Sequence, residues 1–204
     1  MKKFLLTMLV ALLIMTLLAC QKDPPKKTNQ KVTLTVTNLS EREKAILSLF
    51  SNDYAIFDFN QEGEYKKVSV WIEKYKSGDL VKDYEGKLTT EVEKSGSIMF
   101  AKSRGDDEGN QPIIHVGIGD HNGSLASEFE VDSLEVNQMS SVWSYTDENT
   151  VPKDGRVTLA SLCYSRNEDR NDTLRSDFYK DPEGHINELK QFDIVYLLKA
   201  EFSK

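Results

Sequence analysis

The chain has 204 residues, with 26 Lys and Arg against 33 Asp and Glu and a formal net charge of −7 at pH 7. That length carries one domain with a sizeable core, and the acidic balance argues against nucleic acid as a partner. With only Cys20 and Cys163, a dense disulfide framework is excluded, so the domain has to rest on its core.

Lys2 and Lys3 open the chain, and Phe4 to Ala19 is apolar apart from Thr7 and Thr16. As a helix this stretch is about 24 Å long, short of the roughly 30 Å hydrocarbon core, so residues 1–19 read as a secretory signal peptide rather than a permanent span. The run Leu17, Leu18, Ala19, Cys20 closes it. It resembles the lipobox of bacterial lipoproteins. The resemblance implies a diacylglyceryl group on the Cys20 sulfur and cleavage just before that residue. Cys20 would then be the first residue of a mature chain held on the extracytoplasmic face of the cell membrane, with the membrane as its first partner.

Residues 20–31 read as a lipidated tether. Pro24 and Pro25 favour extended conformations, and the composition supports no core. Lys22, Lys26, Lys27 and Lys31 against Asp23 alone give this stretch a charge of +3, which leaves −12 on residues 32–204. Lysines beside a lipid anchor favour anionic headgroups, whereas an acidic domain is repelled by them.

From Val32 onward the pattern is mostly period two. Val32, Leu34 and Val36 alternate with threonines, as in a half-buried strand. Ser40 and Glu43 stand at capping-box spacing, and Ala45, Ile46, Leu49 and Phe50 follow at helical spacing until Ser51-Asn52. The apolar stripe predicts a short helix packed on a sheet. Strands are predicted over 54–59 and 66–75, a turn at Lys76-Ser77-Gly78-Asp79, and a returning strand at 80–84. Further strands are predicted over 88–93, 97–102, 112–118, 127–131, 138–144, 156–164, 174–180 and 191–202. No repeat and no βαβ rhythm shows. Residues 32–204 are therefore expected to form one mainly β extracytoplasmic domain, an antiparallel β-sandwich or open barrel with one short N-terminal helix. The stretch from Glu41 to Leu80, with EREKAILSLF, YAIFDF and SVWIEKYKSGDL, is similar to the opening of small lipoproteins from Gram-positive bacteria. That resemblance carries no activity over.

The candidate sites are weak one by one. Cys163 lies in an alternating run and reads as a buried strand cysteine, not a nucleophile, since no base is close in sequence. The acidic loop 104–110 fails the calcium-loop pattern because Gln111 stands where glycine is required, and the stretch 167–172 fails it at Asp172 and Phe178. The Arg104-Gly105-Asp106 tripeptide is too short to carry meaning. Gly117-Ile118-Gly119-Asp120-His121-Asn122-Gly123 lacks the third glycine of a dinucleotide fingerprint and reads as a loop needing positive φ angles. His115, His121 and His185 are all distant from Cys163 in sequence; His115 and His121, without a nearby cysteine or a third histidine, make a poor zinc set, and Asp120 with His121 has no accompanying nucleophile motif. Trp71, Tyr75, Tyr84, Trp143, Tyr145, Tyr164, Tyr179 and Tyr196 could floor a groove on one sheet face, but aromatics also simply favour strands.

No catalytic residue, metal site or cofactor is therefore expected. The function this predicts is a non-catalytic binding or interaction domain of the cell envelope, with an envelope protein, a peptide or a glycan as ligand. The alternative is an exported hydrolase working through dispersed carboxylates, which 33 acidic residues leave open.

Overall fold

The computed structural model describes residues 32–62, 65–103, 112–131, 133–136, 138–166 and 172–204. The leader, the Leu17-Leu18-Ala19-Cys20 run, the tether, the loop 104–110 and residues 167–171 lie outside them. Two antiparallel sheets pack face to face without closing into a barrel, so the sandwich is the form realised. The six-stranded sheet has the order β7-β6-β5-β2-β1-β9, formed by β1 (Val32–Val36), β2 (Ser51–Gln61), β5 (Ser95–Ser103), β6 (Ile113–Asp120), β7 (Gly123–Glu130) and β9 (Glu148–Thr150). The five-stranded sheet has the order β4-β3-β11-β10-β8, formed by β3 (Lys67–Lys76), β4 (Asp79–Glu91), β8 (Ser140–Tyr145), β10 (Arg156–Ser165) and β11 (Ile194–Ser203).

Alternation decides what each sheet puts inward. Val32, Leu34, Phe57, Phe59, Ile98, Phe100, Ile114, Val116 and Ile118 meet Val68, Val70, Ile72, Leu162, Tyr196, Leu198 and Phe202 in one core. Aromatic pairs knit the two layers: Phe59 meets Phe202 edge to face at 5.3 Å, and Phe100 stacks on Trp143 at 4.3 Å. Lys74 also points inward, near the Tyr196 ring at 5.5 Å. Its ammonium and that of Lys76 both bond the Glu135 carboxylate, which comes from the one-turn helix α2 (Ser133–Val136).

The five-stranded sheet is covered on its outer side as well. Leu174, helix α3 (Ser176–Lys180) with Phe178 and Tyr179, and a 3-10 turn (Ile186–Gln191) with Leu189 pack on Tyr75, Cys163, Val195 and Leu197. Central strand β11 is therefore buried on both faces and reads as an almost unbroken apolar run.

The Lys76–Asp79 turn forms as predicted. Ser77 and Gly78 have φ of 49° and 88°, the two positive values that a two-residue hairpin loop requires. The stretches 80–84 and 88–93 are not two strands but one long strand, β4. Its register shifts, and Tyr84 (φ 60°) and Gly86 (φ 61°) interrupt the alternation there. The predicted strand 174–180 is instead mostly helix α3: its aromatic pair Phe178-Tyr179 is buried by packing across the sheet, which overrides strand propensity. The Gly117–Gly123 stretch is not a loop either. Gly117 and Gly119 sit in β6 paired with β7, and only Gly123 of the three has positive φ.

Helix α1 (Glu41–Leu47) departs most from expectation. The Ser40–Glu43 capping box is present, with the Glu43 carboxylate accepting the Ser40 N–H at 2.8 Å. Yet the helix buries no residue, and Ile46, Leu49 and Phe50 are 49%, 71% and 69% exposed. The helix lies against β2, from the outer side of the six-stranded sheet, and its stripe is not core.

Candidate functional site

The outer cover of the five-stranded sheet runs out beyond Tyr179, and a cleft of about 610 Å³ opens there. Its floor is the outward face of three strands. Trp71, Glu73 and Tyr75 come from β3 at alternate positions, Leu197 and Lys199 from β11, and Arg156 and Thr158 from β10. Its walls are the Pro152–Asp154 turn and the Lys180–Glu183 segment after α3.

Glu73 organises the floor. It is almost buried, and a buried carboxylate has to be paired and hydrogen-bonded. Its Oε2 accepts the Tyr75 hydroxyl at 2.8 Å and lies 3.6 Å from Lys199 Nζ, while Trp71 Nε1–H reaches Oε1 at 3.4 Å. Burial, and then the negative charge of Glu73, push the Tyr75 phenol well above its ordinary range, so Tyr75 stays a neutral donor. Trp71 is 1% exposed, roofed by Tyr84 with ring centroids 5.1 Å apart, and Lys87 lies over both rings.

Two hydroxyl features complete the cleft. Tyr179, on its wall, shares hydrogen bonds with Ser144 and Ser161 at 2.7 and 2.8 Å. Burial raises its phenol to about 12. Thr158, opposite Lys199 in the ladder, is buried and its Oγ1 has no hydrogen-bond partner among the described residues. An orphaned hydroxyl is costly, and this one lies beneath the cleft floor, out of reach of solvent. Around it the lining carries both signs of charge: Glu73, Asp154, Asp181 and Glu183 against Arg156, Lys180 and Lys199.

The residues singled out from sequence are scattered. Cys163 is a buried strand cysteine on β10, its thiol raised to about 12 by burial, with Ser161 Oγ 3.8 Å away. His115 approaches Glu128 (3.7 Å), His121 approaches Glu93 (3.8 Å) and His185 bonds Glu188 (2.9 Å), three separate places. Among the described residues no three His, Cys, Asp or Glu side chains cluster as a metal site would require. Asp120 is committed to its turn, accepting the Asn122 N–H at 2.8 Å, rather than to His121. The eight aromatics do not share one face. Trp143, Tyr164 and Tyr196 belong to the inner core, whereas Trp71, Tyr75 and Tyr179 serve the outer side of the same sheet.

A second groove, of about 800 Å³, lies on the outer side of the six-stranded sheet between Leu39, Glu43, Ile56, Met99 and Gly119. It is shallower in chemistry, with no buried charge on its floor. The Glu73 cleft was not visible in the sequence because its residues come from three strands and two connections far apart in the chain. The one available signal was the charged pair Glu73-Lys74 within the run of β3.

Among the described residues no helix is long and apolar enough to cross a membrane. A family model described as the YgaN domain matches residues 33–202, so the chain belongs to the YgaN domain family. No curated protein and no solved structure matches it.

Proposed function

We propose that this member of the YgaN domain family is a lipid-anchored extracytoplasmic protein whose β-sandwich binds, without catalysis, a peptide or glycan of the cell envelope in the Glu73 cleft. The anchor half of the reading rests on Lys2, Lys3, the apolar leader and the Leu17–Cys20 run. The binding half rests on one observation: a cleft of about 610 Å³ opens over a floor that Glu73, Tyr75 and Lys199 hold in place. The rim of mixed charge suits a ligand carrying polar groups of both kinds.

Glu73 supports binding over hydrolysis. Its oxygens are engaged by Tyr75, Trp71 and Lys199, which leaves the carboxylate to organise the floor rather than to exchange protons with a substrate. The test is capture of envelope peptidoglycan fragments and peptides by the purified protein, compared with Lys180→Glu and Arg156→Glu, two charges of the rim. Loss of capture by both variants, with melting behaviour retained, is the expected result. Equal capture by all three proteins would remove the cleft from the function. Turnover of a captured fragment would replace binding with hydrolysis.

A further inference from the structure

We infer that the ligand of the Glu73 cleft is held by a carboxylate, seated on Lys199 with Arg156 beside it. This rests on the cleft reading above and names the chemical group which that reading leaves open.

The hydrogen-bonding groups of the floor are committed unequally. Its one carboxylate, Glu73, already accepts from Tyr75 and Trp71 and faces Lys199. The same bonds occupy the two aromatic donors, since a phenol and an indole each carry a single polar hydrogen. On the walls, Asp154 Oδ1 accepts the Arg156 N–H at 3.2 Å and Asp181 Oδ1 accepts the Gly184 N–H at 3.0 Å, so both hold their own turns. The cations keep donors in hand. Lys199 Nζ lies 3.6 Å from Glu73 Oε2, close enough for charge pairing but beyond a hydrogen bond, and its ammonium makes no other polar contact among the described residues. Arg156 gives its Nε–H to Glu201 at 3.3 Å and retains the Nη hydrogens of its fork.

Burial makes that imbalance matter. The Lys199 side chain is only 16% exposed, and an ammonium withdrawn from water has to be both paired and hydrogen-bonded. Glu73 supplies the pairing; the hydrogen bonds remain open toward the cleft that Lys199 lines. A carboxylate accepts several charge-assisted bonds at once and fits two neighbouring cations. Lys199 faces Thr158 across the ladder of β10 and β11, and Arg156 stands two residues along on the same face. That diagonal is roughly 7–8 Å between backbones, which these long side chains span. Lys180 adds a further positive charge on the wall. A cationic ligand group would meet the reverse: a floor carboxylate already engaged, with two cations beside it.

The test is calorimetric titration of the full chain with two ligand pairs, each differing only in the carboxylate. One pair is a peptidoglycan stem peptide with free carboxylates and the same peptide amidated. The other is a disaccharide of N-acetylglucosamine and N-acetylmuramic acid and its muramic carboxamide. The expected result is binding at least about tenfold tighter for the acid than for the amide in one pair, which identifies whether peptide or sugar supplies the group. In Lys199→Gln that preference should fall below about threefold. Equal binding of acid and amide in both pairs would overturn carboxylate recognition and leave the cleft reading standing. A preference that Lys199→Gln retains in full would overturn the seat on Lys199. Binding of none of the four ligands would overturn both readings. The comparison of acid with amide needs no variant, so it decides even where Lys199→Gln fails to fold.

Discussion

Glu135→Ala tests how the sandwich is closed. Lys74 is 6% exposed, pointing into the core beside Tyr196, and Glu135 is the carboxylate that neutralises it. Truncating Glu135 leaves a buried ammonium without a counter-charge. Breaking a fully buried pair costs about 3–5 kcal/mol, whereas an exposed pair is worth roughly 0.2–1 kcal/mol. The Glu135 side chain is 27% exposed and also serves the more exposed Lys76, so about 2–3 kcal/mol is expected. With a urea m-value near 2 kcal/mol/M, the unfolding midpoint should fall by about 1–1.5 M. The effect has a pH signature. Hydrogen bonds from Lys74 and then Lys76 lower the Glu135 pKa below its ordinary 4.5, so its contribution is complete above that value. It is lost as pH falls through the lowered folded-state pKa, and the gap between wild type and variant should close in acid. Lys74→Met in the Glu135→Ala background removes the stranded charge and should recover most of the loss. A single variant within about 0.5 kcal/mol of wild type, or a double variant no better than the single, would refute this account.

Other consequences can be checked more briefly. Cys163, with its thiol raised to about 12 and covered by the α3 segment, should resist iodoacetamide at pH 8 in the native protein and react on unfolding; fast native alkylation would mean the outer cover opens readily. Gly155 has φ of +83°, and a Cβ there would lie 2.3 Å from the Phe202 carbonyl oxygen, so Gly155→Ala should cost about 2–3 kcal/mol by chemical denaturation, and an unchanged midpoint would contradict the turn geometry. Cys20→Ala should abolish metabolic labelling with a fatty-acid analogue, and continued labelling would refute the anchor.

Most of the sandwich was legible because its strands obey period two. Val32, Leu34 and Val36, the 66–75 run and the Ser77-Gly78 turn carry their structure in local pattern. The misreadings fall where a tertiary contact decides. Phe178 and Tyr179 look like strand residues and become helix because the outer face of β10 and β11 needs covering. Ile46, Leu49 and Phe50 look like a core stripe and stay exposed because nothing in the periodicity says which elements meet. The cleft was hidden for the same reason, since its floor exists only once β3, β11 and β10 lie side by side.

Glu73 and Lys74 show how closely the cleft and the core of this fold are packed. They are neighbours on β3, so the pleat sends them to opposite faces of the same sheet. Glu73 meets Lys199 and Tyr75 on the outer side, where the cleft floor is; Lys74 meets Glu135 on the inner side, where the core closes. Each charge is tolerable only because a partner of opposite sign waits on its own face. A one-residue slip of β3 that brought Lys74 to the place of Glu73, near Lys199, would put Glu73 opposite Leu198, leaving like charges together outside and a lone carboxylate inside. The pair therefore fixes the register of the strand while separating its duties. Substitutions at Glu73 should be read first in ligand capture, and those at Lys74 first in stability.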